Sequence, residues 1–296
     1  MVKIEELLEA GVHFGHRITK WNPRMAPFIF GERNGIHIID LIQTAQYLNE
    51  TTNFLKNFKK PLANESPAPA SNRRKEILFV GTKKQASSLI EFAANKINGM
   101  SEALSPIALS GSNVDFSEKA TGAGAVFAQA QFVPSREANQ PTQSNRTITA
   151  HYVNHRWLGG LLTNWATMKI CIDHLNTLET REAKGELNTL PKKERAVLKK
   201  QYDKLNTYFG GIKTMKDRPN IVIIIGQDSE MNAVRECNKL QSMAELADGK
   251  SSTLRTITLL DTNCDPSLAD LFIPANDDST KSLELILGKL TEALCS

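Results

Sequence analysis

The chain has 296 residues, is 41% hydrophobic and carries a formal net charge of +4, enough for one large core or two modest ones but too weakly basic to identify a nucleic-acid binder by charge alone. No apolar run is long enough to span a bilayer, and four isolated cysteines (Cys171, Cys237, Cys264, Cys295) with no CxxC pair exclude a disulfide scaffold and point to a reducing compartment. The charge is uneven: His151–Arg218 holds 13 Lys and Arg against 7 Asp and Glu, a net of +6, whereas Arg255–Ser296 holds 3 against 7, a net of −4, so one face is expected to meet phosphate.

A short amphipathic helix over Ile4–Ala10 leads into Ala10–Asp40, which mixes basic, aromatic, imidazole and glycine residues without apolar periodicity and reads as surface. Arg17, Lys20, Arg24 and Arg33 are opposed by Glu32, with His13, Phe14, His16, Trp21 and Asn22 interspersed. Phosphate neutralisation and base or sugar stacking are then available in one segment, and an RNA backbone is the partner that uses both. The alternative is a basic loop anchored to its own domain by its aromatics. No second Cys or His pair follows His13 and His16 at ligand spacing, so they read as polar contacts rather than zinc ligands.

Ile36–Ile39 is a short apolar run, and Leu41–Phe58 places apolar residues at helical spacing. The following Pro-, Ala-, Ser- and Asn-rich stretch, 61–75, reads as a disordered linker. Glu76–Val80 is a strand ending at Gly81, with Thr82 as N-cap of the next helix. The turn VGTKKQA has a helix N-terminus and two lysines, Lys83 and Lys84, but lacks the glycines of a phosphate-binding loop. Residues 97–149 turn to scattered Ser, Ala, Gly, Asn, Gln and Pro and read as a mobile surface insertion.

His151–Asn154 resumes as a strand, followed by HRWLGGLLTNW, where Thr163 or Asn164 caps a helix carrying Trp165, Met168, Ile172, Leu175 and Leu178. A second helix over Lys192–Tyr208 has Val197, Leu198, Tyr202 and Leu205 on one stripe. The pair makes a helical hairpin with its own apolar seam, separable from the rest. In isolation the charges of KKERAVLKK read as a solvated helix face. IVIII (221–225) is a strand buried on both faces, Ser229–Leu240 a helix, Thr256–Leu260 and Leu271–Pro274 strands, and Ser279–Leu294 a helix. This alternation predicts an α/β fold, a parallel sheet with helices on both faces of the Rossmann-like or flavodoxin-like class.

Such a sheet places an enzyme's site in the crevice at the strand C-termini, where Gly81, Gln227, Asp228, Asp261, Thr262, Asn263 and Asp265 converge. DTNCD begins like a calcium loop, but Pro266 stands where the required Gly belongs and Phe272 where the terminal Glu belongs. Asp261 and Asp265 read as turn and capping residues, with magnesium binding as the alternative. Cys264 has no visible base, and no nucleotide or hydrolase fingerprint accompanies these residues.

LLEAGVHFGHRITKWNPRMAPFI, HYVNHRWLGGLLTNW, RPNIVIIIGQDSEMNAVREC and DTNCDPSLADLFIPANDD together resemble the S-two family, the second protein of the small ribosomal subunit in bacteria and organelles, and most of all its plastid branch. The resemblance implies an α/β body with a protruding α-helical coiled-coil hairpin, here Asn164–Phe209. It also implies a non-enzymatic structural role without a cofactor, metal, membrane or small-molecule substrate. The expected partners are small-subunit rRNA and neighbouring ribosomal proteins; the runner-up is a Rossmann-like enzyme or nucleotide-binding protein. The expected rRNA-facing residues are His13, His16, Arg17, Lys20, Trp21, Asn22, Arg24, Arg33, Lys83, Lys84, Arg156, Trp157, Lys192, Lys193, Lys199 and Lys200. The domain plan is 1–60 for the N-terminal helix, basic segment and first α/β unit, 61–75 for the linker, 76–96 and 150–162 for the body, 97–149 for the insertion, 163–209 for the hairpin and 210–296 for the rest of the body. By comparison with the family, 241–254 replaces a shorter turn. The acidic start MVKIEELLEAG already lies within the family block, so no import sequence is expected, and the location implied is the stroma of a plastid that makes the protein itself, or else a bacterial cytoplasm.

Overall fold

The computed structural model describes residues 3–59, 75–99, 148–189, 191–248 and 254–295. Its main body is a five-stranded, all-parallel sheet of β4 (Lys75–Val80), β5 (Ile148–Val153), β6 (Ile221–Ile225), β7 (Arg255–Leu260) and β8 (Leu271–Pro274) in the order β5-β4-β6-β7-β8. In order of appearance that is 2-1-3-4-5, the flavodoxin-like winding, whose switch point lies between β4 and β6. All five residues of β6 are buried, as a central parallel strand with helices on both faces requires.

Alternate side chains of the strands feed two cores. Ile77, Phe79, Ile221, Ile223, Ile225, Ile257 and Leu259 join Leu48 and Leu55 of α2 (Leu41–Lys59), Ile90 of α3 (Lys84–Ile97), and Leu283, Ile286 and Leu290 of α7 (Thr280–Cys295). Leu78, Val80, Val222 and Ile224 face the other way, toward α4 (Trp165–Ala183), α5 (Lys192–Phe209) and α6 (Met231–Asp248). The helices form because their apolar residues recur at three and four spacing and can face a sheet, as Leu283, Ile286, Leu287 and Leu290 do.

The N-terminal segment is more ordered than its sequence suggests. After α1 (Ile4–Glu9), β1 (Phe14–Arg17), β2 (Ile29–Arg33) and β3 (Ile36–Ile39) form an antiparallel sheet in the order β1-β3-β2. Asn34 (φ 54°) and Gly35 (φ 75°) turn β2 into β3 as a two-residue hairpin with both central residues left-handed. Val12, Met25 and Ile39 are buried beneath it. The segment read as wholly surface therefore carries a core, and Met25 packs on Leu260 and Cys264 of the main body. Asp40 caps α2 through the amide of Ile42 at 2.9 Å.

Several boundaries move. Ile97 ends α3 and Ile148 opens β5, so both ends of the expected 97–149 insertion are regular structure; 100–147, like 60–74 with nearly all of the linker, lies outside the described residues. Helix α6 runs on to Asp248, through most of what reads as a replaced turn, because QSMAELAD consists largely of good helix formers. Lys83, not Thr82, occupies the N-cap position of α3.

Helix α5 returns along α4, with Gln201 Nε2 meeting His174 Nε2 at 3.2 Å. The pair is not a separate unit at its base: Ile172, Leu175, Phe209 and Ile212 lie in the same continuous core as Leu78, Val80, Val222 and Ile224. Leu175 is 0% exposed, so Leu175→Asp puts an uncompensated charge into the shared core, at a cost of roughly 3 to 5 kcal/mol. Denaturation should show one transition at a lower midpoint, and limited proteolysis should leave no resistant sheet; a stable body surviving without the hairpin would contradict the shared core.

His151 of β5 is 2% exposed, its Nε2 has no partner, and burial pushes its pKa down to about 4. The folded chain thus refuses a proton that the unfolded chain accepts near pH 6.5. Stability should fall as the pH drops from 6.5 toward 4, by about 3 kcal/mol in all, and stay unaffected by this group above that window. Denaturation of the wild type and His151→Gln from pH 7 to pH 4.5 checks this, the variant losing that part of the pH dependence.

Candidate nucleic-acid interface

The residues that follow the sheet's strands build a charged cluster. Lys83, in the turn between β4 and α3, reaches Asp277 Oδ1 and Asp278 Oδ1, both at 2.7 Å, in the turn between β8 and α7. His16 of β1 meets Asp261, at the end of β7, through Nδ1 at 3.0 Å and Asp278 through Nε2 at 3.4 Å. The neighbouring Thr262 hydroxyl accepts from the amide of His16 at 2.9 Å, and its carbonyl accepts from the amide of Asn22 at 2.8 Å. These contacts pin the N-terminal sheet to the C-terminal edge of the main sheet.

The electrostatics follow from burial. Asp277 is 0% exposed; burial first, and the Asp261 charge second, push its pKa up to about 6, and its Oδ2 has no partner. Burial disfavours the Lys83 ammonium, but the Asp277 and Asp278 carboxylates outweigh it and raise the pKa. The hydrogen bond to Asp261 leads in raising that of His16, against burial.

One ligand atom each from His16, Asp261 and Asp277 lies within 4.8 Å of the others, so this imidazole and two carboxylates could hold a divalent cation once His16 gives up its proton. Asp265, paired with Asp261 in the sequence reading, is engaged elsewhere: its carboxylate meets Arg24 Nη1 and Ser267. The crevice at the switch point is therefore lined with carboxylates, and Glu230, 2% exposed with its pKa raised by burial, takes both the amide and the hydroxyl of Thr82. An anionic cofactor entering there would meet like charge.

The expected rRNA-facing residues separate into two groups. Arg24, Lys83 and His16 are engaged by Asp265, Asp277, Asp278 and Asp261. Burial lowers the pKa of His13, whose ring lies 4.0 Å from that of Phe14, and Asn22 Oδ1 accepts from the amide of Arg24 at 3.0 Å. Trp157 is buried with its indole N–H on Glu236, so it packs the core and offers no stacking face. By contrast, Arg17, Lys20, Arg33, Lys84, Arg156, Lys192, Lys193, Lys199 and Lys200 are exposed and form no ion pair with another described residue. Trp21 is 40% exposed beside His37, and Arg33 lines a shallow groove with Phe14, Asn34, Ile36 and Ile38. Among the described residues no helix is long and apolar enough to cross a membrane.

The sequence reading missed Asp277, Asp278, Glu230 and Glu236. The partners of Asp277 and Asp278 lie far away in the chain, and nothing local marks Glu230 or Glu236.

The model of the family described as ribosomal protein S2 matches residues 7–101 and 132–296. The small ribosomal subunit protein uS2c of Mesostigma viride is 43% identical over 293 residues, covering 99% of this chain and 96% of its own length. The small ribosomal subunit proteins uS2 of Synechococcus sp. (strain JA-2-3B'a(2-13)) and of Picosynechococcus sp. (strain ATCC 27264 / PCC 7002 / PR-6) are 40% and 39% identical over 294 residues, covering 99% of this chain and 83% and 86% of their own.

Replacing Lys83 with Met leaves Asp277 buried beside two other carboxylates without its cation, at a cost of roughly 3 to 5 kcal/mol at neutral pH. Because the folded pKa of Asp277 is raised, and rises further without Lys83, the folded variant binds a proton more readily than the unfolded chain. Acidification from pH 7 to 5 should thus return part of the loss. Denaturation midpoints of both proteins across that range check it; a deficit that does not shrink on acidification would contradict the assignment.

Proposed function

The chain belongs to the ribosomal protein S2 family, and we propose that it is a structural constituent of the small ribosomal subunit, binding small-subunit rRNA and neighbouring ribosomal proteins. Its role is one of architecture, not catalysis. The observation that carries the reading is the division of its N-terminal cations. His16 and Arg24 meet carboxylates of the body, whereas Arg17 of β1, Arg33 of β2 and Lys20, in the connection between those strands, stay exposed, with the half-exposed Trp21 next to Lys20. Free cations beside an aromatic face are the equipment for phosphate contact and base stacking.

Lys84, Arg156 and the lysines of α5 extend the same interface. Lys192 and Lys199, like Lys193 and Lys200, are seven residues apart and lie on one side of that helix. We assign α4 and α5 as the family's coiled-coil arm. We place the protein in plastid ribosomes, supported by the uS2c relative that matches it nearly end to end, with the bacterial cytoplasm as the alternative because cyanobacterial relatives match almost as well.

The test uses small subunits stripped of their own copy of this protein. Replacing Arg17, Lys20 and Arg33 with Ala should lower occupancy and flatten the dependence of log affinity on log salt by roughly two to three, one contact per cation. Arg24→Ala should change the salt slope least, since Asp265 already holds that side chain. Unchanged occupancy of the triple variant across salt would overturn the reading.

A further inference from the structure

The loop over 154–164 joins β5 to α4 without regular structure of its own. It turns Trp157, Leu161 and Leu162 into the core and leaves His155 and Arg156 exposed. Its donors converge on one carboxylate, that of Glu236 on α6. Oε1 accepts from the Trp157 indole at 3.1 Å and from the amide of Gly160 at 2.6 Å. Oε2 accepts from the amides of Leu162 at 3.0 Å and Thr163 at 3.3 Å, and from the Thr163 hydroxyl at 3.4 Å.

A carboxylate has about four lone-pair sites, so these donors saturate it. No cation among the described residues pairs with it. Gly160 sits at φ +86°, a conformation that glycine adopts without strain, in the turn that brings these donors together. The loop is held by an acid that offers nothing attractive to RNA.

We infer that Glu236 is a positioning residue of the rRNA interface, fixing the backbone that presents Arg156. This rests on the rRNA reading above. The two effects of removing the acid have opposite signs. Deleting a negative charge near a phosphate-facing surface tightens RNA binding if charge is all that matters. Releasing the loop weakens it, because Arg156 must then be ordered on binding.

Glu236→Gln decides between them. It is isosteric, but it replaces one accepting oxygen with an NH₂ group that faces donors of the loop. Binding to small subunits stripped of their own copy is measured across salt for Glu236→Gln, Glu236→Asp, Arg156→Ala and the Gln/Ala double variant, each checked for a cooperative unfolding transition. Arg156→Ala should flatten the salt slope by about one. Glu236→Gln should weaken binding by about tenfold and flatten the slope by a similar amount. In the Arg156→Ala background it should add little, as two changes acting through one contact do. Glu236→Asp keeps the charge, shortens the reach and should fall between, and it carries the test if the Gln variant does not fold.

Tighter or unchanged binding by Glu236→Gln, or by the Asp variant where Gln does not fold, overturns the positioning role if Arg156→Ala weakens binding, and leaves the rRNA reading standing. Fully additive losses in the double variant overturn it as well. Undiminished binding by Arg156→Ala removes the loop from the interface and the inference with it.

Discussion

The cluster of Lys83, His16, Asp261, Asp277 and Asp278 is the constraint on which the exposed side of the molecule depends. It joins four places far apart in the chain: β1, the turn after β4, the end of β7 and the turn before α7. Charges taken out of water cost much of what their pairing returns, and Asp277 keeps one carboxylate oxygen without a partner, so such a cluster fixes geometry more than it contributes stability. The N-terminal sheet needs that specification. Its strands are four or five residues long and bury few side chains of their own, and His16, Asn22 and Met25 fix it on the main body.

Electrostatics then sorts the cations. Among the described residues, some cations are held by Asp265, Asp277, Asp278, Glu179, Glu186 and Glu6, while others, Arg17, Lys20 and Arg33 among them, are exposed without an ion pair. Proximity in sequence does not decide membership. Arg24 and Lys20 are neighbours in one segment, yet Arg24 meets a carboxylate 241 residues away while Lys20 has no ion pair. Likewise Lys83 is tied across 194 residues to Asp277, and the adjacent Lys84 is exposed. Counting basic residues therefore overstates an interface, and the surplus after internal pairing is the quantity that bears on phosphate.

The same distinction explains what the sequence made legible. The parallel sheet and its covering helices could be read because burial on both faces writes itself locally, as uninterrupted runs such as IVIII and as stripes at helical spacing. The antiparallel sheet could not: its strands are short and bulged, and only β3 has fully buried residues, though Asn34–Gly35 was a hairpin signal in plain view. Thr82 was misread as a cap because Glu230, 148 residues on, takes its hydroxyl. Trp157 was misread as an RNA contact because a tryptophan among basic residues looks the same whether its indole N–H meets RNA or Glu236. The candidate site was legible as a list of residue types, not as a division between those facing inward and those facing out.

The fold itself is one that elsewhere binds anionic cofactors at its switch point, and in this chain the residues at that end of the sheet are charged and engaged with one another. A phosphate site there requires unengaged amide donors and a positive field at the start of a helix. Here the amide of Thr82, in the turn before α3, is spent on Glu230, Lys83 is spent on two aspartates, and Asp261 adds a further carboxylate behind them. The positive field has been moved outward, onto the small sheet, the 154–164 loop and α5, where it meets solvent instead of a cavity. The end of the sheet that in such an enzyme meets a small ligand carries mutually paired charges here. What those pairs hold in place is a surface, and a surface of unpaired cations and one exposed indole is suited to a partner as extended as folded RNA.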